Sequence, residues 1–569
     1  MTILVLGGGW QQLPAIRKAR EMGLRVIVAD YLESAPGRKE ADRFYLVSTR
    51  DREAILAIAE SEAVDGVLAF ASDPAELTAA YVAEECGLPG GPMEAAEILG
   101  NKEKFRQFLS MHRLPVPGYF CFPDAFPTEA GEKRPGLRYP ILIKPVDSSG
   151  SKGVTLLRSY DAVSLMKAYQ KAIAHAFTGK ALAEEEIVSG YRYVIGGDVI
   201  VRSGRILFLG LMDCLRAEEQ RLVPCGKIYP CGAKDEIKGR IAEILSQVIC
   251  DLHIADAEMN VEFIAGRDGV IYPVEIALRC GGNGIPQLLS DATGVDWIRE
   301  EVSRSLRQMK NKEQCLNNIG IVPRSLSEEK EGVFVSYNLH TDRDGIYMGY
   351  YMEENLAGHC YRREMFRSRG EPVHPYQDAS GIIGILYFYF ANREEAENYL
   401  SQIRCCLVVH VAAIAEIWSR KSNRMGRFLM QSDLQENILR MGEYMRPAFT
   451  ERERAGIDVR AYAKKLTDQA EIHVAVNEKE EIIGMIAAYL NRADYGFISM
   501  LVVAPEFRGC SIAKKLCRRI HEQAQRLGLR CVRGEIRKEN TGCRRLAKSM
   551  GYEEGASGNT EFVSVEKRI

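Results

Sequence analysis

The sequence predicts a multidomain chain in which an α/β domain is followed by α+β domains, and three observations carry that reading. Short apolar runs alternate with helix-spaced segments over the first hundred residues. Strands then come in pairs around glycine turns, and beyond a polar break near residue 420 a separate strand–helix unit follows. A chain of 569 residues also exceeds what one hydrophobic core organises.

Residues 3–6 and 26–29 are β-rich runs separated by a helix-spaced stretch at 14–22, and a further strand at 64–70 runs into Ala71-Ser72-Asp73-Pro74 before a helix at 76–86. This alternation implies a parallel sheet whose ligand-facing loops lie at the carboxyl ends of the strands. Gly7-Gly8-Gly9 lets the chain turn tightly after the first strand. The dinucleotide fingerprint G-x-G-x-x-G would need glycine at position 12, where Gln12 stands, so NAD is not expected despite Asp30 at the end of the second strand. A polar-fronted helix at 101–111 is stopped by Pro115 and Pro117. Strands at 139–144, 154–157, 199–201, 206–209, 260–264 and 270–276 pair across glycine turns such as Ser203-Gly204 and Asp268-Gly269, which predicts hairpins. Residues 332–390 are again hairpin-like and rich in aromatics, and 419–427 reads as a linker.

Composition narrows the function. Lysine and arginine total 75 against 77 acidic residues, a net charge of −2, which gives no support to a nucleic-acid partner. The opening MTILVLGGGW lacks a basic, cleavable leader, and the longest apolar stretch, 406–418, is too short to span a bilayer and holds His410 and Glu416. No membrane partner and a cytoplasmic address are therefore expected. The fifteen cysteines form no C-x-x-C pair and no zinc spacing, and read as reduced thiols.

Two stretches carry the chemistry. In 139–154, YPILIKPVDSSGSKGV, a strand ends on Lys144, and Ser148, Ser149, Gly150, Ser151, Lys152 and Gly153 make a small-residue hairpin. Such a loop can surround phosphate oxygens with backbone N–H groups while the lysines supply charge, although a Ser/Gly hairpin taken alone is more often a solvated turn. It is not a Walker loop, since a strand follows it. The second stretch, MNVEF at 259–263 followed by YPVEIALR at 272–279, puts Glu262 and Glu275 on adjacent antiparallel strands. Two carboxylates on one face can hold Mg²⁺. Arg279, an even number of residues from Glu275, would share that face and stabilise negative charge; the bland alternative is a surface ion pair between the two.

In this order along residues 1 to 420, the motifs resemble the ATP-grasp ligases; MNVEF and VEIALR look like the metal-binding strand pair of the carbamoyl-phosphate synthetase large chain, and the broader similarity is to the peptide-forming (amino-acid ligase) and purine-biosynthetic members. The resemblance implies a Rossmann-like domain at 1–112, an ATP-grasp domain at 113–323 and a β-rich C-terminal lobe at 324–420. It implies that Lys102 and Lys144 contact ATP phosphates, that Glu185, Glu186, Ile187 and Val188 form the adenine-reading hinge, and that Glu262 and Glu275 bind Mg²⁺ (or Mn²⁺). Arg279 would face an acyl-phosphate, with Lys144 as the second catalytic cation. Two departures stand out: Ala277 replaces the asparagine of E-x-N, and Tyr191-Arg192-Tyr193 replaces the ribose-binding acid after the hinge, a gap that Asp198 is a candidate to fill.

Near the C-terminus, a strand ending in Leu501-Val502-Val503 feeds Arg508-Gly509-Cys510-Ser511-Ile512-Ala513, a basic loop opening a helix, which is a natural pyrophosphate site. The stretch is similar to the acetyl-CoA motif of GNAT acetyltransferases, with Ser511 in place of the first glycine, and Asn540 and Met550-Gly551-Tyr552 match later family features. This resemblance implies a GNAT fold at 425–569 that binds acetyl-CoA. The position of the family's general-acid tyrosine holds Ala547, and Cys543 replaces an alanine. The combined expectation is a carboxylate–amine ligase acting through an acyl-phosphate and fused to an N-acetyltransferase, with small-molecule carboxylate and amine substrates. A homodimer, a degenerate half acting as a ligand sensor, and an ATP-dependent carboxylase stay open, and the two halves are expected to separate near residues 421–425.

Overall fold

A computed structural model describes residues 1–123, 136–216, 223–307, 330–413, 416–419, 436–441, 458–476, 481–491, 494–508, 511–558 and 561–569. The chain forms two compact units. The first takes in Met1–His340, Met352–Phe366 and Tyr376–Leu407; the second takes in Thr341–Tyr351, Arg367–Pro375 and Val408–Ile569.

The first unit opens on a four-stranded parallel sheet in the order Arg43–Leu46, Arg25–Asp30, Thr2–Leu6, Gly66–Leu68. Its two central strands are apolar on both faces because helices cover both, as parallel sheets require. Gln12, the residue that replaces the fingerprint glycine, precedes the first helix, and its side chain ties Gly9 N–H to the carbonyl of Phe70. A four-stranded antiparallel sheet follows, with Ile141–Pro145 paired to Thr155–Leu157 as the sequence predicts and to Ala181–Glu185 on its other side. The helix Ala162–His175 covers it.

An eight-stranded antiparallel sheet completes this unit, in the order Ile271–Ala277, Ala257–Ala265, Val194–Arg202, Arg205–Arg216, Pro224–Tyr229, Val333–Leu339, Gly384–Phe390, Cys360–Met365. The amphipathic helix Asp235–Asp251 buries Ile241, Ile244, Leu245 and Val248 against it.

The second unit holds a seven-stranded sheet: Glu416–Ser419, Glu471–Val476, Ile482–Tyr489, Tyr495–Val503, Cys531–Arg537, Phe562–Arg568, Glu553–Ala556. Helix Ile512–Arg526 packs closely on it at Gly484, where an added Cβ would lie 2.9 Å from Ile512 Cγ2. A three-stranded sheet of Pro372–Val373, Gly345–Met352 and Leu407–Ala413 also belongs here, and Ile346 packs into the same core as that helix.

The strands that the sequence groups at 324–420 are thus shared between the two units. The expected boundary at 323/324 and the end of one half at 420 with the start of the next at 425 lie outside the described residues. The strand Glu416–Ser419 pairs with Glu471–Val476, so the separation expected near 421–425 would remove an edge strand from the second unit.

Candidate active sites

The carboxylate pair is built by register. Glu262 and Glu275 are direct partners across the antiparallel strands Ala257–Ala265 and Ile271–Ala277, so both project to one face. A bulge between Glu262 and Phe263 adjusts the pairing at this point. Asn101 caps the helix Lys102–Met111 by accepting from the amides of Glu103 and Lys104, which fixes Lys102 at the helix start. Lys102 Nζ then donates to the Ser148 carbonyl at 2.8 Å and meets Glu275 at 3.3 Å, joining the small-residue hairpin to the carboxylate pair. Burial opposes ionisation of Glu275, but Lys102 and Arg279 outweigh it and hold its pKa below the usual value.

The hairpin turns through Gly150, Ser151 and Gly153, all at positive φ of 62° to 75°. Its base is held by Asp147, which accepts from the amides of Phe177 and Thr178. Ser149 takes the Lys152 amide at 3.4 Å across the turn.

Behind it, Lys144 and Arg106 converge on Glu184. All three are buried; Arg106 Nε donates to Glu184 at 2.7 Å and Lys144 pairs with its other oxygen. Burial works against the Glu184 charge, yet the two cations prevail and hold it at about 2. Burial also pushes the Lys144 ammonium down, against the pull of Glu184. Glu262 is met by Arg216 at 3.2 Å and Lys227 at 3.8 Å.

The hinge residues follow the strand Ala181–Glu185. Glu185 is clamped by Arg138, and the Glu186 amide donates to Pro140. The Val188 carbonyl accepts from Arg267, while the amides of Ile187 and Val188 find no partner among the described residues.

Arg279 lies beyond the end of its strand, where its carbonyl accepts from the Asn260 amide at 2.8 Å. The alternative of a surface ion pair with Glu275 is not what forms: Arg279 is buried and donates to Asp73 through two nitrogens and to the Cys280 carbonyl through the third. Neighbouring Glu76 accepts from the Leu278 amide, and burial raises its carboxyl to about 7.

Asp198, the candidate to fill the ribose gap, is fully buried and accepts from Asn260 Nδ2 at 2.9 Å and the Gly281 amide at 2.8 Å, so it braces the loop after the strand. Burial lifts it to about 6. Ala277 stands directly across from Asn260, so an amide does occupy the neighbouring register position, although its N–H groups serve Asp198 and Gly197.

The donor set fits a magnesium nucleotide. Mg²⁺ is usually held by one or two carboxylates together with phosphates and water, and Glu262 and Glu275 supply that pair beside Lys102. No group of three His, Cys, Asp or Glu side chains suited to a metal occurs among the described residues.

Sequence reasoning missed Arg106, Glu184, Lys227 and Asp73. The lysine inside the otherwise apolar strand Pro224–Tyr229 was a usable signal; Glu184 hid inside a run of three glutamates.

In the second unit, Tyr495–Val503 pairs in parallel with Cys531–Arg537 only from Tyr495/Cys531 to Ile498/Gly534. Beyond that the strands part, and Leu501, Val502 and Val503 keep a partner only on the side of Ile482–Tyr489. A bulge leaves Ser499 unpaired with that neighbour, and Tyr462 OH binds its carbonyl at 3.0 Å. The helix after the loop starts at Ile512, with Ser511 left-handed at φ 57° and Ala513 in its first turn. Arg508 Nε donates to the Val503 carbonyl at 3.2 Å, which holds the loop against the strand end. Gly509 and Cys510 lie outside the described residues. The start of helix Ile512–Arg526, beside the parted strands, is of the kind whose backbone amides suit a pyrophosphate.

The side-chain oxygen of Asn540 caps helix Thr541–Ser549 by accepting from the Cys543 amide. Ala547 is buried in that helix, and the nearby Tyr552 hydroxyl pairs with His521 at 2.7 Å.

The two regions therefore define an ATP-grasp fold followed by a GNAT fold. Residues 438–552 match the acetyltransferase (GNAT) family. The chain is 22% identical over 340 residues to the L-arginine-specific L-amino acid ligase of Bacillus subtilis, covering 59% of this chain and 78% of that protein. It is 30% identical over 194 residues to the formate-dependent phosphoribosylglycinamide formyltransferase of Dechloromonas aromatica, covering 33% of this chain. That match spans 46% of the relative, about half of its length. The L-amino acid ligase of Bacillus licheniformis superimposes with a TM-score of 0.58 at 20% identity, over 72% of this chain and 98% of its own. The chain thus joins a region similar to ATP-grasp ligases in sequence and fold to a GNAT-family domain. No helix among the described residues is long and apolar enough to cross a membrane.

Proposed function

We propose that the first unit joins a small carboxylic acid to an amine with ATP and Mg²⁺, through an acyl-phosphate, and that the GNAT domain transfers acetyl from acetyl-CoA to an amine. The observation that carries the ligase reading is the register pairing of Glu262 with Glu275, with Lys102 bridging Glu275 to the Ser148 carbonyl. Bound magnesium would supply charge neutralisation during phosphoryl transfer. Lys102 and Lys144 would hold phosphate oxygens, and Arg279, oriented by Asp73, would steady the carboxylate. Ile187 and Val188 would read the adenine through their amides. An amine then displaces phosphate, so neither a serine nor a cysteine nucleophile is required. The similarity to L-amino acid ligases favours an organic carboxylic acid over bicarbonate as the acid that ATP activates.

The test is ADP release by the full chain with Mg²⁺-ATP, screened over pairs of carboxylic acids and amines. Release that requires both partners is expected; stimulation by bicarbonate with no amine would favour the carboxylase alternative. For the GNAT domain, free thiol should appear from acetyl-CoA when a substrate amine is present. Tight acetyl-CoA binding with no thiol release from any amine would instead mark a sensing role.

A further inference from the structure

Trp10 sits at the carboxyl end of the first parallel strand with 40% of its surface exposed, and its ring stacks on Phe366 at 5.8 Å and 22°. Exposed indoles are common on loops, but this one is held on both sides. Gln12 ties Gly9 to the Phe70 carbonyl, and Gln11 exchanges two hydrogen bonds with Asn283, accepting from its amide at 2.9 Å and donating to its side-chain oxygen at 3.2 Å. The partner loop is the one that follows Arg279, and Asp73, which orients Arg279, starts the helix after the next strand of the same sheet. A cation and a pre-stacked aromatic pair therefore stand in one loop cluster, with Trp10 exposed and Phe366 half-buried. Rigid aromatic surface of this kind gains most when an apolar group covers it.

We propose that Trp10 and Phe366 form the wall that selects the acid at the ligase site: a carboxylic acid bearing a flat or branched apolar side group, its carboxylate toward Arg279 and its side group against the indole. This deepens the ligase reading and rests on it.

The experiment has two arms. In the first, L-phenylalanine, L-leucine, L-glutamate and L-lysine are titrated into the full chain, and Trp10 emission is isolated by difference from Trp10→Phe. In the second, ADP release is measured for the same acids with wild type and Trp10→Ala. A saturable quench by the apolar acids, and a KM for them raised about tenfold or more in Trp10→Ala with the KM for ATP unchanged, is the expected result. Equal use of charged and apolar acids, or an unchanged KM in Trp10→Ala, would overturn the wall. If no acid releases ADP, the ligase reading fails; a saturable L-phenylalanine quench would still uphold the wall, and no quench would end it.

Discussion

The two candidate sites differ in the groups they would offer a phosphate. In the first unit, charge is buried and paired in advance: Glu184 holds Lys144 and Arg106, Glu275 meets Lys102, and Glu262 meets Arg216 and Lys227. In the second, the groups that would meet an anion under the proposed function are backbone amides at a parted strand and at the start of helix Ile512–Arg526. A charge network keeps its cations desolvated and oriented before substrate arrives, so removing one member should propagate through it. A backbone site has no side-chain partners to unbalance, so single substitutions there should act locally.

The largest effect is expected at the carboxylate pair. Glu275→Gln keeps the shape but removes the charge that Lys102 and a metal both need, and should lower ADP formation roughly 10²–10³-fold, on the scale of losing one preorganised electrostatic partner. Turnover at the wild-type rate would break the assignment of this face.

Next comes the buried triad. Glu184→Gln leaves two buried cations without their counter-charge and should destabilise the first unit by about 3–5 kcal/mol, read from denaturant unfolding. The pH dependence follows from the same residue. With its folded pKa depressed to about 2, Glu184 adds stability that is fully present above the unfolded carboxyl value near 4.5. That contribution is lost as pH falls from there toward 2. Wild type should therefore show an acid-dependent loss that the glutamine variant lacks; parallel stability curves for the two would remove Glu184 from the account.

The third expectation sharpens the contrast at the level of the fold. Residues 425–569 produced alone lack Glu416–Ser419 and Leu407–Ala413, which exposes the edge of Glu471–Val476. That fragment should aggregate more than one beginning at residue 407. Equal solubility would mean the edge strand contributes little, and the separation expected near 421–425 would stand after all.

The smallest change is at the backbone site. Arg508→Glu reverses one charge beside a helix start, where such effects reach about 1–2 kcal/mol, so acetyl-CoA affinity should fall by about tenfold. Calorimetry reads this directly, and an unaltered affinity would show that Arg508 serves only its bond to Val503.

Much of this was legible in the chain because local pattern encodes it. Period-two alternation and glycine turns marked the hairpins around Lys144 and around Glu262 and Glu275, and strand–helix alternation marked the parallel sheet. Placing two glutamates on neighbouring strands needed only the turn between them. The polar front of 101–111 read as a helix start, and the basic loop Arg508–Ala513 as the opening of another.

What the linear pattern left open were choices between partners far apart in sequence. Whether Arg279 would pair with Glu275, four residues away, or with Asp73, 206 residues away, depends on which loop the parallel sheet brings to it. Asp198 had the right chemistry for a ribose, but the strand order buries it under Asn260 and Gly281. The segment 324–420 reads as one run of hairpins, yet its strands are divided among three sheets, because antiparallel edges pair with whichever complementary edge the packed core presents. Residue type and spacing specify elements and their faces; long-range pairing is selected by burial and charge balance over the whole core, which no window of sequence contains.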